Sequence, residues 1–132
     1  MEKIVKSEEQ WREDLSPDQY AVLRNQATEP PFAGKYVHEK ANGMYTCAGC
    51  GAELFSSDTK FDSGSGWPSF TEPAVAEAVE LRPDNSLFMR RTEVVCAKCG
   101  GHLGHVFDDG PAQAGGQRFC INSCALELDA AE

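Results

Sequence analysis

The sequence predicts a mainly β domain with a small helical cap at its N-terminus. Helix signals are confined to residues 1–26, whereas short runs of β-branched and aromatic residues, separated by turn signals, fill most of the remainder. Strands do not alternate with helical segments, so βαβ units are not expected. At 132 residues the chain is most simply one domain. We expect a single domain over residues 1–132, with helices within 1–26 and a β core over 27–128.

The N-terminal segment predicts two short helices. Ser7 with Gln10, and Ser16 with Gln19, each match a capping box, and Pro17 follows where a first-turn proline is tolerated. Apolar residues at helical spacing would pack these helices onto the rest of the domain. They are Trp11, Leu15, Tyr20 and Leu23.

Strands are predicted wherever β-branched and aromatic residues cluster. In chain order these runs are KYVH, MYTC, ELFSS, KFDSG, VAEAVEL, LFMRRTEVVC, LGHVF, RFCINS and ALEL. The turn signals between them include NG, SG, PDN, DDG and AGG. Before the first run, the paired prolines of TEPPFAG (residues 28–34) predict an extended connection from the helices to the β core.

Composition and charge exclude several classes of function. The net charge of −9 would repel nucleic-acid phosphates and anionic lipids. Apolar runs are too short for a membrane span, and the N-terminus lacks the apolar stretch of a secretory signal. We therefore expect a cytoplasmic protein that binds neither nucleic acid nor membrane. In a reducing compartment its six cysteines are metal ligands or reactive thiols.

Four cysteines form two CxxC pairs that predict a structural zinc site. Each pair lets a tight turn point two sulfurs at one ion, and a glycine follows the second cysteine in both. The predicted ligands are Cys47, Cys50, Cys96 and Cys99. A thioredoxin-like redox pair is the alternative, but that motif belongs with a βαβ pattern. Four thiolates leave no open position on the ion, so the zinc would be structural and would join strands distant in sequence.

Two further cysteines, Cys120 and Cys124, lie in the stretch QRFCINSCAL. Both could be small buried apolar residues, as free cysteines often are. For Cys120 the neighbours favour reactivity. In a strand, Arg118 and Asn122 would share its face, so that the guanidinium favours a thiolate and the amide offers a donor.

Histidines and a tryptophan add to this candidate site. His102 and His105 lie in HLGHVFDDGP and are suited to proton transfer near neutral pH, although they could instead be extra metal ligands. His38 has no such neighbours and is expected on the surface. Trp67 lies in GSGWPSF, whose glycines and proline predict an indole displayed on a constrained turn rather than in the core. Together these residues indicate a reductase or an acyl-transfer site.

The combination resembles the methionine-R-sulfoxide reductases. From TEPPF onward the chain carries two CxxC knuckles, GWPSF, HLGHVFDDGP and RFCINS, in the order found in that family. The resemblance implies two small antiparallel β-sheets with N-terminal helices. It also implies reduction of the R epimer of methionine sulfoxide, protein-bound and free, in the repair of oxidised proteins.

The resemblance also implies roles for single residues. Cys120 would attack the sulfoxide and become a sulfenic acid, Trp67 would pack on the sulfoxide methyl group, and Phe107 would help to bind the substrate. His102 and His105 would lie beside the sulfoxide oxygen. The surrounding polar network would comprise Asn122, Arg118 and Asp109, the last supporting a histidine. Cys47, Cys50, Cys96 and Cys99 match the zinc ligands of many members.

One position departs from the family pattern and leaves regeneration open. Many members carry a recycling cysteine directly before GWPSF, where this chain has Ser65. Cys124, where alanine is usual, is a candidate resolving residue. In one straight strand it would lie about 13 Å from Cys120, whereas a disulfide needs about 4.4–6.8 Å between Cα atoms. A turn at Asn122-Ser123 would shorten that distance.

Three routes for regeneration stay open at this point. Thioredoxin or another thiol attacks the sulfenic acid directly, Cys124 resolves it after a local rearrangement, or Cys124 only packs beside direct reduction. We expect a monomer. A zinc-ribbon interaction module without catalysis is the main rival function, and a zinc hydrolase is excluded by the absence of an open metal position.

Overall fold

A computed structural model describes residues 3–85 and 90–130 as two short helices and nine strands. The helices are α1 (Glu8–Asp14) and α2 (Pro17–Asn25). The strands are β1 (Gly43–Cys47), β2 (Glu53–Ser56), β3 (Lys60–Phe61), β4 (Ser69–Phe70), β5 (Val79–Asp84), β6 (Arg91–Cys96), β7 (His102–Phe107), β8 (Arg118–Ile121) and β9 (Leu126–Ala130). Within the described ranges no helix has the length and apolarity needed to cross a bilayer.

The strands form two antiparallel sheets, which confirms the predicted fold class. The small sheet has the order β2-β1-β9, and the large sheet has the order β3-β4-β8-β7-β6-β5. Every pairing in both sheets is antiparallel. Strand β8 therefore lies inside the large sheet, between β4 and β7, although it comes late in the sequence.

Several strand predictions need correction. Residues 35–38, the run KYVH, form a turn and not a strand. The preceding prolines and Gly34 favour a change of chain direction at this point. The run VAEAVEL contains a short 3₁₀ turn, and its strand begins only at Val79. Strand β4, inside GWPSF, was not predicted because it has two residues only. Strand β9 continues to Ala130, beyond the predicted end of the β core. Leu87–Met89 of the run LFMRRTEVVC lie outside the described residues.

Both helices begin at the predicted capping boxes. Ser7 and Ser16 accept hydrogen bonds from the backbone N–H of Gln10 and Gln19, whose side chains bond back to the caps. Each cap contributes about 1 kcal/mol to helix stability. The helices then pack on the rest of the domain through the predicted apolar side chains, which are Trp11, Leu15, Tyr20 and Leu23.

Aromatic side chains fill the space between the two sheets. Tyr45 and Phe55 come from the small sheet, and Phe70 and Phe119 come from the large one. Ring centroids lie 5.3 Å apart for Tyr45 and Phe70, 4.6 Å for Phe55 and Phe70, and 5.9 Å for Phe55 and Phe119. All four residues are buried. Because this contact joins β4 and β8 to the small sheet, it holds the Cys120 strand against a rigid support.

Candidate active site

Cys120 lies in the middle of the large sheet. The register places Ser69 of β4 on one side of it and His105 of β7 on the other. The residue is 8 % exposed, so the thiol is largely shielded from bulk water. The strand predicted around RFC is confirmed, and it brings together residues from three separate motifs of the sequence.

A guanidinium contacts the Cys120 thiol. Arg118 Nη1 donates to Cys120 Sγ over 2.7 Å, which is the contact that the shared strand face predicts. The same guanidinium lies 4.6 Å from the Phe107 ring centroid, in a cation–π arrangement. A guanidinium at this distance can donate a charge-assisted hydrogen bond to a sulfur that carries negative charge.

Asp109 holds this guanidinium in place. Arg118 Nε and Nη2 donate to the two carboxylate oxygens of Asp109 over 2.8 and 3.1 Å. The hydrogen bond from Arg118 lowers the pKa of Asp109, and the Asp109 carboxylate raises the pKa of Arg118. The resemblance implies that Asp109 supports a histidine, and this is wrong for the structure described here. Phe107 and Arg118 are cross-strand partners at the end of β7, so the residue two positions further reaches Arg118 instead.

Serine hydroxyls surround the other side of the thiol. The Oγ atoms of Ser65 and Ser69 each lie 3.6 Å from Cys120 Sγ. Ser63 Oγ lies 2.7 Å from both of those hydroxyls. Ser65, the position at which the resemblance implies a recycling cysteine in many family members, is thus in contact with Cys120. Ser63 and Ser69 were not singled out from the sequence, because serines in a turn-rich run are expected in any loop.

Each of the two clustered histidines is held by a carboxylate. His105 Nε2 lies 2.7 Å from Asp84 Oδ2, and His102 Nδ1 lies 2.6 Å from Glu93 Oε2. Sequence reasoning missed both carboxylates. Glu93 carried a signal, because it is a charged residue within the otherwise apolar strand run TEVVC. Asp84 carried no such signal, because it belongs to the PDN turn, where an aspartate is expected.

The two histidines differ in their access to the cavity beside Cys120. His105 lines the cavity beside Cys120, whereas His102 is 3 % exposed and does not belong to the described lining. Their ring centroids lie 5.5 Å apart. Burial lowers the pKa of His102, which favours its neutral form. Among the described residues no group bonds to the buried Nε2 of His102. His38, predicted on the surface, is exposed.

A cavity of about 220 Å³ opens beside Cys120. Its walls include the predicted residues Trp67, His105, Phe107, Arg118 and Asn122. The volume is below the range of about 300–1,000 Å³ that is typical of sites for drug-sized ligands. The cavity therefore suits a single side chain of a larger substrate, or a small molecule of that size.

Trp67 is displayed on a constrained turn, as predicted. Gly64 and Gly66 on either side of Ser65 adopt φ angles of +73° and +95°, which side chains rarely allow. The indole is half-buried, and its Nε1 donates to the backbone carbonyl of Glu29 over 2.9 Å. The plane of the ring is thereby fixed against the cavity.

Asn122 faces the cavity, but its amide has other partners than the thiol. Its Nδ2 donates to the Leu103 carbonyl over 3.0 Å, and its Oδ1 accepts from the Glu29 backbone N–H over 2.9 Å. The expectation that this amide donates toward Cys120 is therefore corrected. Strand β8 ends at Ile121, so the two-residue alternation that placed Asn122 beside Cys120 ends there as well.

Cys124 lies in a different environment from Cys120. The chain turns after β8 into a short 3₁₀ segment, Ser123–Ala125, so the straight-strand separation does not apply. Cys124 Sγ donates to Glu29 Oε2 over 3.0 Å and lines a second cavity of about 490 Å³. Burial, and then the Glu29 carboxylate, raise the pKa of Cys124 to about 12. At neutral pH this thiol stays protonated.

The four cysteines of the CxxC pairs converge, which is compatible with a structural metal site. Their sulfur atoms all lie within 4.8 Å of one another. Cys47 ends strand β1 and Cys96 ends strand β6, and the second cysteine of each pair lies at the end of the turn that follows. The cluster therefore joins the small sheet to the large one. No histidine belongs to this cluster among the described residues.

The two CxxC turns have the same backbone geometry. Gly51 N–H donates to the Cys47 carbonyl over 2.8 Å, and Gly100 N–H donates to the Cys96 carbonyl over 2.8 Å. Gly51 and Gly100 have φ angles of +79° and +74°, which explains why a glycine follows the second cysteine in both turns. The predicted knuckles are thus present as a matched pair.

Comparisons with known proteins agree with this geometry. Residues 15–130 match the SelR domain family. A peptide methionine sulfoxide reductase MsrB of Bradyrhizobium diazoefficiens is 63% identical over 128 residues, which cover 97% of this chain and 91% of the relative. The protein of the same name from Methanosarcina mazei is 60% identical over 124 residues, covering 94% and 88%. That from Leptospira interrogans is 52% identical over 126 residues, covering 96% and 95%. With the matched site and this coverage, the chain belongs to the SelR family.

Proposed function

We propose that this protein reduces the R epimer of methionine sulfoxide to methionine, both in oxidised proteins and as the free amino acid. The observation that carries the proposal is the contact of Arg118 Nη1 with Cys120 Sγ, at 2.7 Å, on the wall of a cavity shared with Trp67. The cavity has the size of a side chain, and the relatives carry the name of this activity.

The first step is attack of the Cys120 thiolate on the sulfoxide sulfur. The sulfur of the substrate gains two electrons and becomes a thioether, while the oxygen moves to Cys120 as a sulfenic acid. Arg118 donates to the attacking sulfur, and the hydroxyls of Ser65 and Ser69 can donate to sulfur or to the new sulfenic oxygen. The step needs one proton for the departing oxygen.

We assign that proton to His105. It is the histidine that lines the cavity, and Asp84 orients its ring through Nε2, which leaves Nδ1 for the sulfoxide oxygen. His102 lies behind it, paired with Glu93, and burial disfavours its charged form. A positioning role for His102, through packing on the His105 ring, is what this environment supports.

The R epimer is selected by the aromatic walls. The Trp67 ring is fixed by its bond to Glu29, and Phe107 is fixed by the Arg118 guanidinium above it. When the methyl group lies on the indole and the oxygen points toward His105, only one configuration at sulfur leaves that atom accessible to attack by the thiolate. The opposite epimer would exchange the methyl group and the oxygen.

Regeneration is assigned to an external thiol, such as thioredoxin. Ser65 contacts Cys120 but has no thiol, and Cys124 is protonated, bonded to Glu29 and lines a separate cavity. An incoming thiol attacks the sulfenic acid, releases water and forms a mixed disulfide, which a second thiol then reduces. Cys124 would thus be a packing residue and not a resolving one.

The metal is assigned as one structural zinc ion. For tetrahedral coordination with Zn–S bonds of about 2.3 Å, sulfur atoms lie about 3.8 Å apart. The Sγ atoms of Cys47 and Cys99 are 3.7 Å apart, and those of Cys50 and Cys96 are 3.6 Å apart, which fits this geometry. Zinc would supply a cross-link between the sheets and no chemistry at Cys120. We further propose that residues 1–132 act as one cytoplasmic, monomeric domain.

The activity is tested with racemic N-acetylmethionine sulfoxide amide and dithiothreitol. After incubation with zinc-loaded, reduced protein, chiral chromatography measures both epimers. We expect loss of the R epimer alone. Loss of neither epimer would overturn the proposal and favour a binding module, and loss of both would overturn the assigned selection by Trp67.

Regeneration is tested by one turnover without reductant, followed by intact mass spectrometry. The wild-type protein is expected to gain one oxygen atom, as a sulfenic acid. Ser65→Cys places a second thiol next to Cys120, where the wild-type Oγ–Sγ distance is 3.6 Å, so this variant is expected to lose two hydrogens as a disulfide. A disulfide in the wild-type protein that is absent in Cys124→Ser would show instead that Cys124 resolves the intermediate.

A further inference from the structure

Phe32 is an exposed aromatic residue held in an unfavourable backbone conformation. Its side chain lies in the segment 28–34 and the residue is 62 % exposed. Its φ angle of 64° is in the left-handed region, which is rare for a bulky residue. Strain of this kind is concentrated at positions that contact ligands. An apolar ring is thus presented to solvent at a cost in backbone strain.

The backbone of Phe32 is tied to the turn that displays Trp67. Phe32 N–H donates to the Gly66 carbonyl over 2.7 Å. A Cβ atom on Gly66 would lie 2.7 Å from Pro31 Cβ, so the two segments are in direct contact. Proline at positions 30 and 31 restricts the segment further. The backbone of Phe32 is therefore held against the turn that carries Trp67, a residue of the cavity wall.

His38 supports the ring of Phe32. The two ring centroids lie 6.3 Å apart with an interplanar angle of 23°. His38 is itself exposed. The two rings form a small surface, here called the aromatic rim, that is joined through Gly66 to the cavity wall at Trp67.

A polypeptide substrate with its oxidised side chain in the cavity would extend beyond the cavity mouth on both sides of that side chain. The cavity, at about 220 Å³, holds one side chain, so the residues next to the oxidised methionine remain outside it. Oxidation of a core methionine disrupts its packing and exposes the apolar residues around it. We propose that the aromatic rim, Phe32 and His38, binds an apolar side chain adjacent to methionine sulfoxide in damaged proteins. This inference rests on the proposed function and names its substrate class.

The test compares three substrates whose oxidised residue is the same. They are N-acetylmethionine sulfoxide amide, a peptide with leucine on both sides of methionine sulfoxide, and a peptide with serine on both sides. The variant is Phe32→Asn, because asparagine tolerates the left-handed conformation and keeps the backbone in place. The matched control is Val75→Asn, which changes another exposed apolar residue, 56 % exposed.

For Phe32→Asn we expect KM for the leucine-flanked peptide to rise about fivefold, because an apolar contact is lost. KM for the other two substrates, and all values for Val75→Asn, should stay at wild-type levels. Phe32→Leu, which keeps an apolar side chain, should retain most of the preference for the leucine-flanked peptide.

Two outcomes would contradict the proposal that the aromatic rim binds an apolar side chain of the substrate. Equal changes with all three substrates would assign Phe32 to the structure of the cavity, and no change with any substrate would show that nothing docks there. Circular dichroism melting of each variant identifies a loss of folding. Failure of the proposed function is separate, since it would appear as no turnover of the small substrate by the wild-type protein.

Discussion

Cys120 and Cys124 are four residues apart, yet opposite charges face them. Cys120 Sγ accepts a hydrogen bond from Arg118 Nη1 over 2.7 Å, whereas Cys124 Sγ donates one to Glu29 Oε2 over 3.0 Å. A cation favours a thiolate and an anion disfavours it. The first thiol opens on the cavity that contains Trp67, and the second lines a separate cavity. Sequence proximity therefore says little about which thiol reacts.

The difference arises from the chain bend between the two cysteines. Strand β8 keeps Arg118 and Cys120 on one face, and the 3₁₀ turn at Ser123–Ala125 then directs Cys124 toward Glu29. Glu29 contacts both sides of this bend. Its backbone bonds to Trp67 and Asn122, and its carboxylate bonds to Ser123 N–H and the Cys124 thiol. Glu29 thus stabilises the turn that separates the two thiols.

The largest effect on activity is expected when the Cys120 thiol is replaced by a hydroxyl, and the same replacement at Cys124 is the comparison. Cys120→Ser should lower kcat/KM for the R epimer by about 10³-fold or more, because the nucleophile is lost. Cys124→Ser should leave it at the wild-type value with dithiothreitol or thioredoxin as reductant. Turnover by Cys124→Ser that stops after one methionine per protein would contradict the comparison and restore Cys124 as the resolving residue.

A smaller loss is expected when the cation beside Cys120 is removed. Arg118→Leu deletes a hydrogen bond to a charged group, worth about 1.5–3 kcal/mol, so kcat/KM should fall about 10–100-fold. Alkylation of Cys120 by iodoacetamide at pH 7 should slow in the same variant, measured by mass spectrometry of the 118–126 peptide. Arg82→Leu, on an exposed strand position, is the matched control. An unchanged alkylation rate would show that Arg118 does not activate the thiol.

The smallest effect is expected on Cys124 when its anion is neutralised. Glu29→Gln keeps an acceptor for Ser123 N–H but removes the charge, so the pKa of Cys124 should fall from about 12 while burial still keeps it raised. Alkylation of Cys124 at pH 9 should rise about tenfold, the change for one pKa unit. Glu77→Gln, at an exposed position, should have no effect. Faster alkylation of Cys120 as well would indicate a general loosening instead.

The same pKa gives the sign of a stability change at high pH. An unfolded cysteine ionises near pH 8.5, whereas the pKa of Cys124 in the folded protein is about 12. The contribution of Cys124 to folding is therefore complete below that pH and is lost as pH rises toward 12. Denaturant titrations of wild type and Cys124→Ser between these limits should show a steeper loss for the wild type.

Local signals made much of this molecule predictable. The capping boxes at Ser7 and Ser16 need only four residues of sequence, and the paired CxxC spacing needs only the turn geometry of one metal ligand pair. The contact between Arg118 and Cys120 follows from strand alternation alone. These features required no knowledge of how distant segments meet.

The remainder depends on register and could not be predicted from single segments. Glu93 reaches His102 because β6 and β7 pair with a register shift between Val94 and Val95, which places His102 opposite Val95. Asp84 reaches His105 because β5 pairs with β6 so that Asp84 lies opposite Arg91, close to the Glu93 and His105 pair. Asp109 meets Arg118 for the same kind of reason. The bend before Cys124 was foreseen only as one alternative, since a 3₁₀ turn has no strong sequence signal.

Segment 118–130 completes both sheets at once, with consequences for how the protein is made. Strand β8 inserts between β4 and β7, and β9 adds to the edge of β1. During synthesis, which proceeds from the N-terminus, a ribosome-bound chain that ends before Arg118 has a gap in one sheet and a bare edge on the other. Cys120 is translated within this segment. A nascent chain therefore contains this thiol only when the strand that shields it is also being made.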